Sequence, residues 1–120
     1  MMTQQTDRRG PWTSIADIRK ANEEAEHHFF DRDTLKFFDS RIERTIYGGR
    51  FFLTSEQFHG TDGYSGSRRW TVRAARDDGN ITTMGEFNEL SRDAARAMAR
   101  DYADRLRKGE TLKDQYGRDI

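Results

Sequence analysis

The sequence predicts an α+β domain of the order ααββββα: two N-terminal helices, a four-stranded antiparallel meander and a C-terminal helix. Three observations predict it. Apolar residues recur at helical spacing from Ile15, four alternating runs between Arg41 and Phe87 are split by glycine turns, and a capped helical repeat follows Ser91.

Residues 1–10 are polar and without periodicity, so residues 1–12 read as a disordered arm ending at Pro11 and Trp12. Ser14 followed by Asp17 resembles a capping box, and Ile15, Ile18, Ala21, Ala25 and His28 then share one face, predicting a first helix over 15–27. Its other face carries Asp17, Lys20, Glu23 and Glu24, an ordinary solvated surface. Asp31 or Asp33 caps a second, shorter helix whose apolar content is Leu35, Phe37 and Phe38.

From Arg41 the pattern alternates, with Ile42 and Ile46 on one side and Glu43, Thr45 and Tyr47 on the other. Gly48-Gly49 tolerates positive φ and returns the chain as a second strand over 50–58. Residues 59–67 hold three glycines and read as a loop. A third strand over 69–76 puts Trp70, Val72 and Ala74 opposite Thr71, Arg73 and Ala75; Asp78-Gly79 then turns it into a fourth over 81–87. Ser91 caps the last helix, on which Ala95, Met98, Tyr102 and Leu106 repeat until Gly109 stops it. The domain is thus expected over 13–108, with 109–120 as a flexible tail.

Phe51 and Phe52 are adjacent on one strand and point to opposite faces, so both faces of the sheet receive a ring. The ordinary expectation is that the last helix covers one face and the first two helices part of the other. The sharper one is an open aromatic surface for a protein partner, built from Tyr47, Phe52 and Tyr64 and rimmed by charge.

Composition narrows the chemistry. With 33% hydrophobic and 35% charged residues, one core built on aromatic rings is all the chain can support. The absence of cysteine excludes disulfides, thiolate metal sites and a cysteine nucleophile, and with no apolar run of membrane-spanning length the expected setting is cytoplasmic. His27, His28 and His59, with Asp31 and Asp33 nearby in sequence, are the histidine metal candidate. Adjacent histidines on a helix point about 100° apart, however, unlike the i,i+4 pair of a zinc helix, so no metal is expected. Gly60, Gly63 and Gly66 lie between two strands, whereas a phosphate loop opens a helix, so no cofactor is expected. Neither G-x-S-x-G nor H-E-x-x-H occurs, and the chain is expected not to be an enzyme.

Formal net charge is zero, yet residues 41–76 carry seven basic and three acidic groups. This basic stretch supports an alternative, a nucleic-acid-binding module in which Arg44, Arg50, Arg68, Arg69, Arg73 and Arg76 meet phosphates. That alternative requires the six to gather on one solvent-facing surface free of acids; pairing with Glu43, Glu56 or Asp62 argues against it.

The stretches HHFFDRDTLKFFDSRI at 27–42 and RWTVRAARDDGNITTMGEF at 69–87, with the alanine-arginine helix after them, resemble a family of small uncharacterised proteins from actinobacterial genomes and their phages. The resemblance spans roughly residues 14–106. Its marks are His28-Phe29-Phe30, Phe37-Phe38, Ser40-Arg41 and Gly85-Glu86-Phe87; Glu26 stands where a glycine commonly precedes the histidines. The resemblance implies a setting and no chemistry: a phage or mobile-element accessory protein that binds a host protein as inhibitor or regulator, anti-defence activity such as anti-CRISPR included. A phage protein or a second copy of the chain are further partners in this reading, and a membrane is not.

Overall fold

The computed structural model describes residues 10–24, 41–57, 68–84 and 90–120. Along them run α1 (Ile15–Glu24), β1 (Arg41–Ile42), β2 (Phe51–Glu56), β3 (Arg69–Ala75), β4 (Ile81–Thr83) and α2 (Arg92–Arg107). The α+β class and the four-stranded antiparallel meander, in spatial order β1-β2-β3-β4, are those the sequence predicts. The helix count differs: there are two helices among the described residues, and the predicted second helix around Leu35 to Phe38 falls outside them.

Both predicted hairpin turns form. Gly48 and Gly49 take φ of +59° and +73°, positive at both central positions as a tight two-residue connection requires, and Tyr47 N donates to Phe51 O at 2.7 Å. At the other end Gly79 takes φ +88°, Arg76 N donates to Asn80 O at 2.8 Å, and Asn80 N bonds the Asp78 carboxylate at 2.9 Å.

The register assigns the two faces. Phe51 opposite Ala74 and Leu53 opposite Val72 lie on one; Phe52 opposite Arg73 and Thr54 opposite Thr71 lie on the other. The first face packs on α2, burying Phe51, Leu53, Val72, Ala74, Met84, Ala95 and Ala99 in one cluster. On the second face Phe52, Ala75 and Ile81 pack with Trp12, Ile18 and Ala21. Phe51 and Phe52 are both wholly inaccessible, and burying a ring of this size stabilises by about 1.5–3 kcal/mol. The ordinary reading of the paired rings therefore holds for α2 and α1.

Local chemistry explains each helix end. Asp17 N bonds Ser14 Oγ at 3.1 Å, half of the predicted capping box, while the Asp17 carboxylate accepts from Thr13 Oγ1 at 3.0 Å instead of reaching the Ser14 amide. The Asn22 amide, buried one turn later, donates to Gly79 O at 3.1 Å and so ties α1 to the β3–β4 turn. Ser91 caps α2 through Ala94 N. At the far end Gly109 at φ +90° donates to Leu106 O and Glu110 N to Arg105 O, the paired bonds of a left-handed helix stop.

Two boundaries are corrected. Trp12, placed by the sequence in a disordered arm, is 9% exposed and its backbone N–H donates to Gly49 O at 2.7 Å. Residues 110–120, expected as a tail, are docked: Leu112 is 3% exposed in the α2-side cluster, Gln115 N donates to Thr83 O at 2.9 Å, and Ile120 N returns to Leu112 O at 2.9 Å. Sequence reading missed this because the segment has no apolar periodicity; it is fixed by hydrogen bonds to the β4 edge.

Candidate functional site

The six arginines of the nucleic-acid alternative do not form one open surface. Arg73 lies on the α1-side face with its side chain 12% exposed. Its Nε donates to Thr54 Oγ1 at 2.9 Å, its Nη1 to Thr83 Oγ1, and its Nη2 stands 3.5 Å from Glu56. Burial pulls the Arg73 pKa below its ordinary value, and the Glu56 carboxylate opposes that pull. Arg50 donates to Ala75 O at 3.1 Å and is bonded to Asp77. Arg68 bonds the buried Ser55 hydroxyl at 2.8 Å. Arg76 Nη1 is 3.8 Å from the Asp114 carboxylate and, among the described residues, makes no hydrogen bond.

Arg69 is exposed and stands opposite Glu56 in register, so an acid accompanies it. Arg44 is exposed just past β1, where with Ile42, Ser14, Ile15 and Lys20 it lines a groove of about 670 Å³ beside the start of α1. The acid pairing that argues against a phosphate surface is therefore present at Arg73, and acids not foreseen, Asp77 and Asp114, take up Arg50 and Arg76.

The aromatic trio does not assemble either. Phe52 is corrected outright: it is core under α1, because Ile18, Ala21 and Trp12 close over it. Tyr64 lies outside the described residues, as do His27, His28 and His59 and the glycines of the 59–67 loop. Tyr47 remains, half-buried against the α2-side core.

Tyr47 lines a cleft of about 500 Å³ between the Gly48 turn and the C-terminal half of α2. Its floor is Ala103 and Leu106; its rim is Arg100, Asp104 and Arg107. The turn reaches this position because Gly48 lacks a side chain: a Cβ there would stand 2.8 Å from Ala103 Cβ. Behind it the Phe51 and Tyr102 rings pack at 5.7 Å with their planes tilted by 32°. Hydrogen bonds from Lys108 and Arg107 hold the Asp104 carboxyl below its usual range, while Arg100 has no ion-pair partner among the described residues. Sequence reasoning overlooked Arg100, Ala103 and Arg107, although their spacing of three and four along a helix places them on one face.

A second polar centre escaped it as well. The Asp114 side chain is wholly covered and accepts from Thr82 Oγ1 at 2.9 Å, from the amides of Tyr116 and Arg118 at 2.9 Å each, and from Arg118 Nε at 3.1 Å. Burial pushes its carboxyl up, and these donors together outweigh burial and hold it at about 2. Among the described residues no three acids or histidines gather to hold a metal ion, and no helix is long and apolar enough to cross a membrane.

Among known protein families, the model of the Family of unknown function (DUF7447) matches residues 14–101. No curated protein and no solved structure matches the chain. The matched range takes in the whole sheet and α2 as far as Asp101, and leaves the last turns of α2 and residues 108–120 beyond it.

Proposed function

The chain belongs to that family, and we propose that it is a non-enzymatic binding protein whose partner is another protein, in the phage or mobile-element setting that the sequence resemblance implies. The observation that supports this reading over nucleic acid is the internal commitment of the central arginines. A phosphate surface requires cations that release counterions on binding, whereas Arg50 and Arg73 already hold acids and carbonyls of their own fold. The cleft at Tyr47, apolar in its floor and charged at its rim, is the kind of surface that polypeptides bury. Its action would be that of an inhibitor or regulator, occluding a host enzyme or defence complex.

The test is capture of host protein on immobilised wild type, Arg100→Glu and Lys20→Glu, alongside fluorescence anisotropy with duplex DNA, duplex RNA and single strands at low salt. The expected result is one protein retained by wild type and Lys20→Glu and lost with Arg100→Glu, with no micromolar binding to nucleic acid. Salt-sensitive micromolar binding to any of the strands would replace this reading with the nucleic-acid module.

A further inference from the structure

Charge on the exposed side of α2 is unevenly placed. At the N-terminal end of the helix Arg92 and Arg96 both reach Glu43, at 2.9 and 3.7 Å, and Asp93 stands beside them in the first turn. At the other end Arg100, Arg107 and Lys108 face a single acid, Asp104, so three cations meet one carboxylate at the rim of the Tyr47 cleft. Neighbouring acids do not offset the excess, because Asp101 and Glu110 are both taken up by Arg105. Arg100 is exposed and has no ion-pair partner among the described residues, and Arg107 is 75% exposed. Lys108 also holds Asp104, at 2.9 Å, so that carboxylate keeps a counter-charge when Arg107 turns outward.

The spacing is as informative as the sign. Arg100 and Arg107 are seven residues apart, two helical turns or about 10.5 Å along the axis. Between them Ala103 puts only a methyl group on the surface, with Leu106 and Tyr47 beside it in the cleft of about 500 Å³. A small residue between two long ones lets a second helix approach closely. The backbone of α2 at this level is spent on its own hydrogen bonds, so an extended strand would find no ladder to join. On a partner helix, acids at i and i+7 with an apolar residue at i+3 or i+4 between them repeat the spacing of the cleft.

We propose that the Tyr47 cleft receives an acidic amphipathic helix of a protein partner, which lays an apolar side chain against Ala103 and Leu106 and meets Arg100 and Arg107 with carboxylates two turns apart. The inference rests on the protein-binding reading and adds to it the chemistry of the segment that is bound. The guanidinium–carboxylate contacts set register and speed encounter, and the apolar contact anchors the helix.

Three fluorescein-labelled helical peptides serve as probes: one with two central leucines flanked by glutamates seven positions apart, one with those glutamates replaced by lysine, and one with the leucines replaced by alanine. Their binding to the full-length protein is read by fluorescence anisotropy at low and physiological salt, beside duplex DNA. Arg100→Glu tests the site, and Lys20→Glu, an equal change of charge on α1, is the control. Because both side chains are exposed, the melting temperatures stay those of wild type. The glutamate peptide is expected to bind wild type and Lys20→Glu at least about tenfold more tightly than either counterpart does. It loses about tenfold or more with Arg100→Glu, which in turn prefers the lysine peptide. Equal binding of the three peptides, no binding at millimolar concentration, or indifference to Arg100→Glu overturns the acidic helix. Duplex DNA bound more tightly than the glutamate peptide, and lost with Arg100→Glu, overturns it in favour of phosphate. The protein-binding reading is judged separately, by whether wild type still retains a host protein.

Discussion

The two faces of the sheet are built from the same strands and closed by different physics. On the α2 side the contacts are apolar from Phe51 to Ala99, and the polar element, Asp114 with Thr82, sits where the C-terminal segment meets β4. On the α1 side the apolar contacts end at Phe52, Ala75 and Ile81. Beyond them lie the buried Thr54, Thr71 and Thr83, of which Thr54 and Thr83 accept from the guanidinium of Arg73. One face is held mainly by excluding water, the other partly by hydrogen bonds that are worth having only while all are made. The lesson is that alternation in a strand tells which residues share a face, whereas the means of closing that face is decided by what packs above it.

The sharpest way to break this comparison is at the paired rings. Phe51→Ala and Phe52→Ala are each expected to cost about 3–5 kcal/mol, measured by urea unfolding of each variant. A Phe52→Ala cost under about 1 kcal/mol would mean that α1 does not close its face. Next in size is Asp114→Asn, which weakens the acceptor shared by two amides and a guanidinium and is expected to cost about 1–3 kcal/mol.

Acid sharpens the same point. The folded Asp114 carboxyl titrates at about 2, below the unfolded value near 3.9, so its stabilisation is complete above about pH 4 and is lost as pH falls through about 2. A melting-temperature profile of wild type should therefore fall over that interval more steeply than that of Asp114→Asn. Parallel profiles would show that the carboxylate contributes nothing particular.

On the α1 side, Glu56→Gln leaves Arg73 buried with one fewer charge partner. Since Glu56 is a quarter exposed, the expected loss is about 1–2 kcal/mol, read by the same unfolding measurement. The smallest effect belongs to the surface: Glu43 receives Arg92 at 2.9 Å and Arg96 at 3.7 Å, yet Arg92 is half exposed. Glu43→Gln should therefore cost about 0.2–1 kcal/mol and less at high salt.

Legibility in the sequence followed the same division. The Gly48-Gly49 and Asp78-Gly79 turns, the Ser91 cap and the Gly109 stop were readable because each is a local demand on the backbone that few residues meet. The pairing of Phe51 and Phe52 with opposite faces followed from strand geometry. Arg73 was correctly set opposite Trp70, but its surroundings were misread, because nothing local announces that threonines from the two neighbouring strands and Glu56 will close around it. The docking of residues 112–120 was hidden for a related reason. Its signal is an aspartate three residues before a glycine, Asp114 and Gly117, which is common in open turns; only the β4 edge, distant in sequence, makes this one part of the fold. Of the candidate site, Tyr47 was named in advance and its helical neighbours were not, since their face emerges only when the turn beside them is in place.

The hairpin tip at Gly48-Gly49 has a practical consequence for anyone engineering the chain. Gly48 abuts Ala103 of α2, and a Cβ on Gly49 would run into Pro11 and approach Trp12 N at 3.5 Å, so the tip is wedged between two layers of the protein. Hairpin tips are the customary places for epitope tags, fluorophores and inserted domains, and here such an insertion would prise α2 and the Trp12 segment away from the sheet together. A reporter belongs instead past the α2 stop, at the exposed Thr111, and not at Gly109 itself, whose φ of +90° would strain any side chain. A label placed there can follow the Tyr47 cleft without disturbing the wedge that keeps the two faces in register.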